Sequence, residues 1–214
     1  MGTVYAAHDL HLDRAVAIKQ IRSGTAGPAA RERLKREARI GAGINHPNVC
    51  QIYELVEDAE EIFIVMELVE GEPLTERLHN GALPLATAVP LVLSMLSVLE
   101  ELHRRGLIHR DLKPSNVLLT PHGVKLLDFG LARPVIRASI DTMIWMTTPG
   151  MVVGSPAYMS PEQAQGPTVD HRTDLHAGAA VLFEMIAGTP PFVRDSVVQT
   201  LHAVVYEQPR CAPV

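Results

Sequence analysis

The sequence is short of cysteine, of positive charge and of long apolar runs, and each shortage excludes something. Cys50 and Cys211 are the only cysteines. Two thiols with neither a disulfide framework nor metal-ligand spacing point to reduced side chains in a cytoplasmic setting. Nineteen Lys and Arg stand against 24 Asp and Glu, a formal charge of −5, which argues against nucleic acid or an anionic membrane as the main partner. No apolar run is expected to reach the roughly 20 residues that cross a bilayer, and no signal peptide opens the chain. An anchor outside this segment stays open. Internal repeats are absent. What remains is ordinary globular composition: 214 residues, 47% hydrophobic and 20% charged, enough for one domain or two small lobes.

Alternation predicts strands over 3–7 and 15–21, joined by a polar turn over 8–14, and two more over 49–56 and 61–68. Pro28 opens a helix predicted over 29–42, with Pro47 ending it. Gly71-Glu72-Pro73 breaks the pattern and marks the expected boundary between a strand-rich part, 1–70, and a helical part, 71–214. In the second part an apolar-periodic helix is predicted over 86–105 with Gly106 as its stop. A buried helix over 174–187 ends at Gly188, and a shorter one spans 196–206. Residues 131–162 lack a period; a stretch of that length in a compact domain is functional or disordered.

The chemistry concentrates at His109-Arg110-Asp111-Leu112-Lys113-Pro114-Ser115-Asn116, followed twelve residues after Asn116 by Asp128-Phe129-Gly130. Two metal-seeking groups and one candidate catalytic carboxylate thus fall on consecutive loops. Singly, each has a plainer reading. Asp111, Asn116 and Asp128 are common turn residues, Lys19 of Val16-Ala17-Ile18-Lys19 suits the wet face of a strand, and Glu37 suits a helix surface pair. As an ordered set they fit phosphoryl transfer, which needs charge neutralisation, bound Mg²⁺ and an acceptor held in line. Mg²⁺ takes one or two carboxylates plus phosphate oxygens.

This set resembles the catalytic and metal-binding loops of the eukaryotic-type protein kinases. The resemblance extends over essentially the whole chain and implies an α+β fold of two lobes: a small antiparallel sheet with one helix, then a mostly helical lobe. It implies a protein serine/threonine kinase using ATP and Mg²⁺, with Mn²⁺ as the alternative ion. Asp111 would orient the attacking hydroxyl and Lys113 neutralise the transferring phosphate. Asn116 and Asp128 would hold metal. Lys19 would bind the α- and β-phosphates, fixed by an ion pair to Glu37. Val4, Ala17 and Leu118 would sandwich the adenine, with Met66 behind it and the backbone of Glu67 and Val69 at its edge. Gly-Ser-Pro-Ala-Tyr-Met-Ser-Pro-Glu over 154–162 resembles the peptide-docking segment, and its Tyr-Met-Ser-Pro-Glu-Gln wording is most like bacterial serine/threonine kinases. There Ser155 would bond Asp111 and Lys113. Arg110 would pair with a phosphate on Thr147 or Thr148, with Thr142 a weaker candidate, after autophosphorylation in a transient homodimer. The expected partner is a protein carrying a Ser or Thr acceptor.

Departures from the family pattern set further expectations. Of the glycine-rich loop only Gly2 and Val4 remain, so Met1 reads as internal and the chain as truncated at both ends. Residues 3–7 would then form an unpaired edge, and Glu162 would lack an arginine partner. Gly41 replaces a bulky residue stacked on Phe129 and His109, with Ile52 beyond. Gly178-Ala179 replaces Leu-Gly. Two alternatives follow: a nucleotide-binding pseudokinase without turnover, and a small-molecule phosphotransferase, which generally lacks the Ser-Pro-Glu segment present here.

Overall fold

A computed structural model describes residues 3–21, 28–58, 61–128, 156–166 and 169–209. Gly2, Phe129, Thr142, Thr147, Thr148 and Ser155 lie outside the described residues. Strands β1 (Thr3–Asp9) and β2 (Arg14–Ile21) pair antiparallel from Thr3↔Gln20 to Asp9↔Arg14. Both run further toward the turn than alternation alone indicates. The reason is Asp9, whose carboxylate accepts from the backbone N–H of His11 and Leu12 and closes the turn. Strands β3 (Ile52–Asp58) and β4 (Glu61–Glu67) complete a four-stranded antiparallel sheet in the order β1-β2-β4-β3.

Helix α1 (Pro28–Ala42) packs against β3. It stops five residues before Pro47, because the N–H groups of Gly43 and Ile44 turn back onto the carbonyls of Ile40 and Gly41. Gly41 is buried; the stack expected around it includes Phe129, outside the described residues.

The Gly71–Pro73 break is itself structural. Strand β5 (Glu72–Pro73) pairs with β6 (Val117–Thr120), which pairs with β7 (Gly123–Leu126) in a second antiparallel sheet. Gly71 is required by close approach, since a Cβ there would sit 2.6 Å from the Leu119 carbonyl oxygen. The remaining elements are α2 (Leu74–His79), α3 (Leu85–Arg104), α4 (Pro161–Gln165), α5 (Arg172–Ala187) and α6 (Val197–Tyr206).

Helix α3 ends as Gly106 predicts. At φ 72° Gly106 donates to His103 O, and Leu107 donates to Leu102 O, a Schellman closure. By length and composition alone this helix could cross a membrane, its most apolar 18-residue window having a mean hydropathy of 1.7. Here its Ala88, Val92, Met95, Val98, Leu99 and Leu102 face the core. Ser160 and Gln163 form a reciprocal capping box that starts α4, a Ser-x-x-Gln spacing visible in the sequence but passed over in the reading of 131–162. Helix α5 closes at Gly188, φ 78°. Gly178 would bring an added Cβ only to ordinary contact, 3.7 Å, with Leu112.

One continuous core joins the two lobes, running from Ala38, Ile44, Ile52 and Ile64 through Val49 and Leu126 to Leu99, Leu112 and Val181. The link is a backbone strap: Cys50 N–H donates to Leu126 O at 3.0 Å and Leu126 N–H to Asn48 O at 2.8 Å. The Asn48 side-chain amide adds a bond to Val124 O at 2.7 Å.

Candidate active site

The two loops singled out by the sequence are joined by their backbones. Leu127 N–H donates to Asn116 O at 2.9 Å. His109 Nε2 donates to Leu127 O at 3.1 Å, while its Nδ1 accepts from Asp111 N–H at 3.3 Å. His109 has no solvent exposure. Burial holds its pKa below the usual histidine value despite the opposing carboxylates of Asp174, Asp111 and Asp128. A neutral ring with its hydrogen on Nε2 makes both bonds.

Beneath the first loop lies Asp174, in the first turn of α5 and wholly buried. It accepts from His109 N–H and Arg110 N–H, each at 2.8 Å, and from His103 Nε2 at 2.7 Å. Burial pushes its carboxyl pKa up, but His103 and the two backbone donors more than offset this and the net shift is downward. The backbone donors also anchor Arg110 at φ 62°, a left-handed conformation that L side chains rarely adopt. The sequence reading missed this role. Its only trace was a carboxylate opening an otherwise apolar helix.

On this frame the predicted residues meet. Lys113 Nζ lies 3.1 Å from Asp111 Oδ2. Asn116 donates through Nδ2 to Asp111 O at 2.7 Å, leaving its amide oxygen for another partner. That oxygen and the Asp128 carboxylate are hard donors of the kind Mg²⁺ takes, so the donor set fits. Asp128 is held at φ 55°.

The expected Lys19–Glu37 pair is not made. Lys19 Nζ sits 2.5 Å from Asp128 Oδ1. Glu37 Oε1 instead accepts from Arg33 Nε at 3.0 Å and Arg110 Nη1 at 3.3 Å. The physical reason is local. Arg33 stands one helical turn before Glu37, Arg110 projects to the same oxygen, and Lys19 has a nearer carboxylate. Arg110 Nε is buried without a partner among the described residues. Burial, and then the neighbouring Arg33, depress the Arg110 pKa.

The residues assigned to the nucleotide lie on facing strands. Ala17, buried, is opposite Met66; Val16 is opposite Glu67; Val4, half-exposed on β1, is opposite Lys19. Val69 follows β4, and Leu118 lies on β6, opposite Lys125. Glu67 is bound more tightly than foreseen. Its N–H donates to Gln51 O at 2.8 Å, and its carbonyl accepts from the Cys50 thiol. Its Oε2 accepts from Lys125 Nζ at 2.8 Å and Gln51 N–H at 3.2 Å. Burial first, then the charge of Glu67, pushes the Cys50 thiol up to about 12, so it stays protonated.

The segment 156–166 docks beside Asp111. Gln163 Nε2 donates to Arg110 O at 2.9 Å, and Tyr158 Oη to Glu184 Oε2 at 2.6 Å. The partner that Glu162 takes here is a hydroxyl. Thr173 Oγ1 donates to the Glu162 carboxylate at 2.8 Å, and Ser160 Oγ lies 2.6 Å from the same hydroxyl.

A family model described as the protein kinase domain matches residues 1–211. A probable serine/threonine-protein kinase of Streptomyces coelicolor is 42% identical over 222 residues, covering 100% of this chain and 32% of that protein. Serine/threonine-protein kinase PknB of Mycobacterium leprae is 36% identical over 216 residues, 98% of this chain and 34% of its own length. The chain therefore spans about a third of the length of these curated relatives. Among solved structures, the PknI kinase domain of Mycobacterium tuberculosis aligns with a TM-score of 0.72 at 29% identity, over 91% of this chain and 72% of that one. With its two lobes, its joined loops and this match along nearly its whole length, the chain belongs to the protein kinase family.

Proposed function

We propose that this chain is the catalytic domain of a bacterial-type protein serine/threonine kinase, transferring the γ-phosphate of ATP to Ser or Thr hydroxyls of proteins. The observation that carries the reading is the pair of bonds at Leu127, from its N–H to Asn116 O and from the His109 imidazole to its carbonyl. This tie between the two loops supports a shared site for Asp111, Lys113, Asn116 and Asp128. Asp111 accepts or orients the proton of the attacking hydroxyl. Lys113, already at its side, supplies positive charge to the transferring phosphoryl group. When bound, Mg²⁺ supplies charge neutralisation at the phosphates, and Asn116 and Asp128 are the residues that would hold it.

Lys19 binds the α- and β-phosphates, and Val4, Ala17, Met66, Glu67, Val69 and Leu118 surround the base. Glu37, drawn from Arg110 to Lys19, would free Asp128 from its ammonium. A phosphate on Thr147 or Thr148 would compete with Glu37 for Arg110. We place the boundary between lobes at 70/71, where β4 has closed the first sheet and β5 begins the second. The buried, protonated Cys50 fits a cytoplasmic setting.

The test is transfer of γ-labelled phosphate from Mg²⁺-ATP to the chain and to a protein acceptor, with Asp128→Ala as control. Incorporation that the control abolishes is expected. Equal incorporation in both would overturn the reading.

A further inference from the structure

The family resemblance gives Glu67 only a backbone role at the base edge, yet its side chain is the centre of an unassigned cluster. Glu67 Oε2 takes Lys125 Nζ at 2.8 Å and Gln51 N–H at 3.2 Å. Lys125 Nζ also donates to Val49 O at 3.3 Å. Gln51 in turn donates through Nε2 to Ala42 O at 3.1 Å, the last residue of α1, and to Ile52 O at 3.0 Å. Lys125 and Glu67 are partly screened, with side chains 20% and 27% exposed. A bare ion pair of that exposure contributes little. This one is different in kind, because each partner also binds backbone, so it fixes where two chain segments sit.

Those segments are the two ends of the nucleotide site. Glu67 opens the stretch through Val69 that faces the base. Lys125 stands on β7 three residues before Asp128, at the phosphate end. We infer that Lys125 is a positioning residue for the nucleotide: by gripping the Glu67 carboxylate and the Val49 carbonyl together, it holds the base-edge segment in register with the strand that delivers Asp128. The inference rests on the kinase reading, since it needs a nucleotide between those segments. Lys125 acts through Glu67 and need not touch the ligand. Holding both ends before binding removes an ordering cost that a loose site would meet on each binding event. The loop carrying Asp111, Lys113 and Asn116 is anchored from its other side by Asp174. Lys125 should therefore govern how tightly nucleotide binds more than the chemical step.

The experiment measures the ADP dissociation constant together with kcat and KM for ATP in the wild-type chain, Lys125→Met and Lys125→Arg. We expect Lys125→Met to weaken ADP binding and raise KM by on the order of tenfold, with kcat within about twofold and Lys125→Arg restoring most of the affinity. Glu67→Gln, which keeps the backbone, should weaken ADP binding similarly, and the double variant Lys125→Met with Glu67→Gln should be no worse than either single one. A Lys125→Met variant that unfolds at lower temperature but binds ADP as the wild type does would overturn the inference, reducing the cluster to structure. So would additive losses in the double variant. A wild-type chain that binds no nucleotide would overturn the kinase reading and the inference with it.

Discussion

A carboxylate with no exposure to water, Asp174, sets the shape of the catalytic loop. It satisfies the N–H groups of His109 and Arg110, which the left-handed turn at Arg110 would otherwise leave without a helix or strand partner. Asparagine in its place keeps one acceptor oxygen but puts an NH₂ group against a donor and removes the charge facing His103. Asp174→Asn should cost roughly 3 kcal/mol, as expected for breaking a buried charged network. A urea unfolding curve would read the loss as a lower midpoint at unchanged slope; a midpoint equal to the wild type's would remove Asp174 from this role. The choice of partner at Lys19 is also decided at this scale. Which carboxylate an ammonium takes depends on distances across the lobes, and no periodicity in the sequence carries them. Lys113 and Asn116 both meet Asp111, whereas the Lys19–Glu37 pair implied by the family resemblance is displaced by Asp128 at Lys19 and Arg110 at Glu37.

At the scale of elements, the second sheet stands on a close approach. The backbone at Gly71 passes so near Leu119 that a methyl group would meet its carbonyl oxygen at 2.6 Å. Gly71→Ala must push β5 away from β6, and a stability loss of about 1–3 kcal/mol is expected, as for overpacked sites. Gly166→Ala is the comparison, because a Cβ there meets nothing within 4 Å. Thermal unfolding should separate the two variants, and equal midpoints would refute the contact. Long elements were legible in the sequence. The alternation over 15–21 and 61–68 and the apolar period of α3 each span enough residues to show a period. β6 and β7, at four residues each, are too short to show alternation, and β5 was read as a break because Gly71 and Pro73 flank its start. Their pairing comes from tertiary context. The capping box at Ser160 and Gln163 was legible in principle, through its three-residue spacing.

Among the described residues two imidazoles, the buried His109 and the partly buried His176, have pKa values that desolvation depresses below the usual 6.5. In the unfolded chain both take up protons as pH falls through about 6.5, while the folded chain resists. The unfolded state therefore binds more protons in that window, and stability must fall as pH drops below it. Above the window both states are neutral at these sites and the contribution is complete. Asp174, with its pKa lowered in the folded state, adds a second loss at lower pH, beginning only below the ordinary carboxylate range near 3.8. Melting temperature followed from about pH 7.5 to about pH 5 should decline beginning near 6.5. His109→Phe should lessen the slope if the cavity accepts the ring, and a flat profile across that range would contradict the buried neutral state.

The one core shared by both lobes makes the assembled loops a property of the whole fold, and the central claim is that this assembly performs phosphoryl transfer to hydroxyls. The most direct test is phosphoamino-acid analysis of a protein acceptor incubated with Mg²⁺-ATP and the chain, beside Asp111→Asn. Phosphoserine or phosphothreonine should form with the wild type and fall by on the order of 10²–10⁴-fold in Asp111→Asn, with ADP binding retained. Phosphotransfer undiminished by Asp111→Asn, or none at all from a wild-type chain that binds ADP, would contradict it.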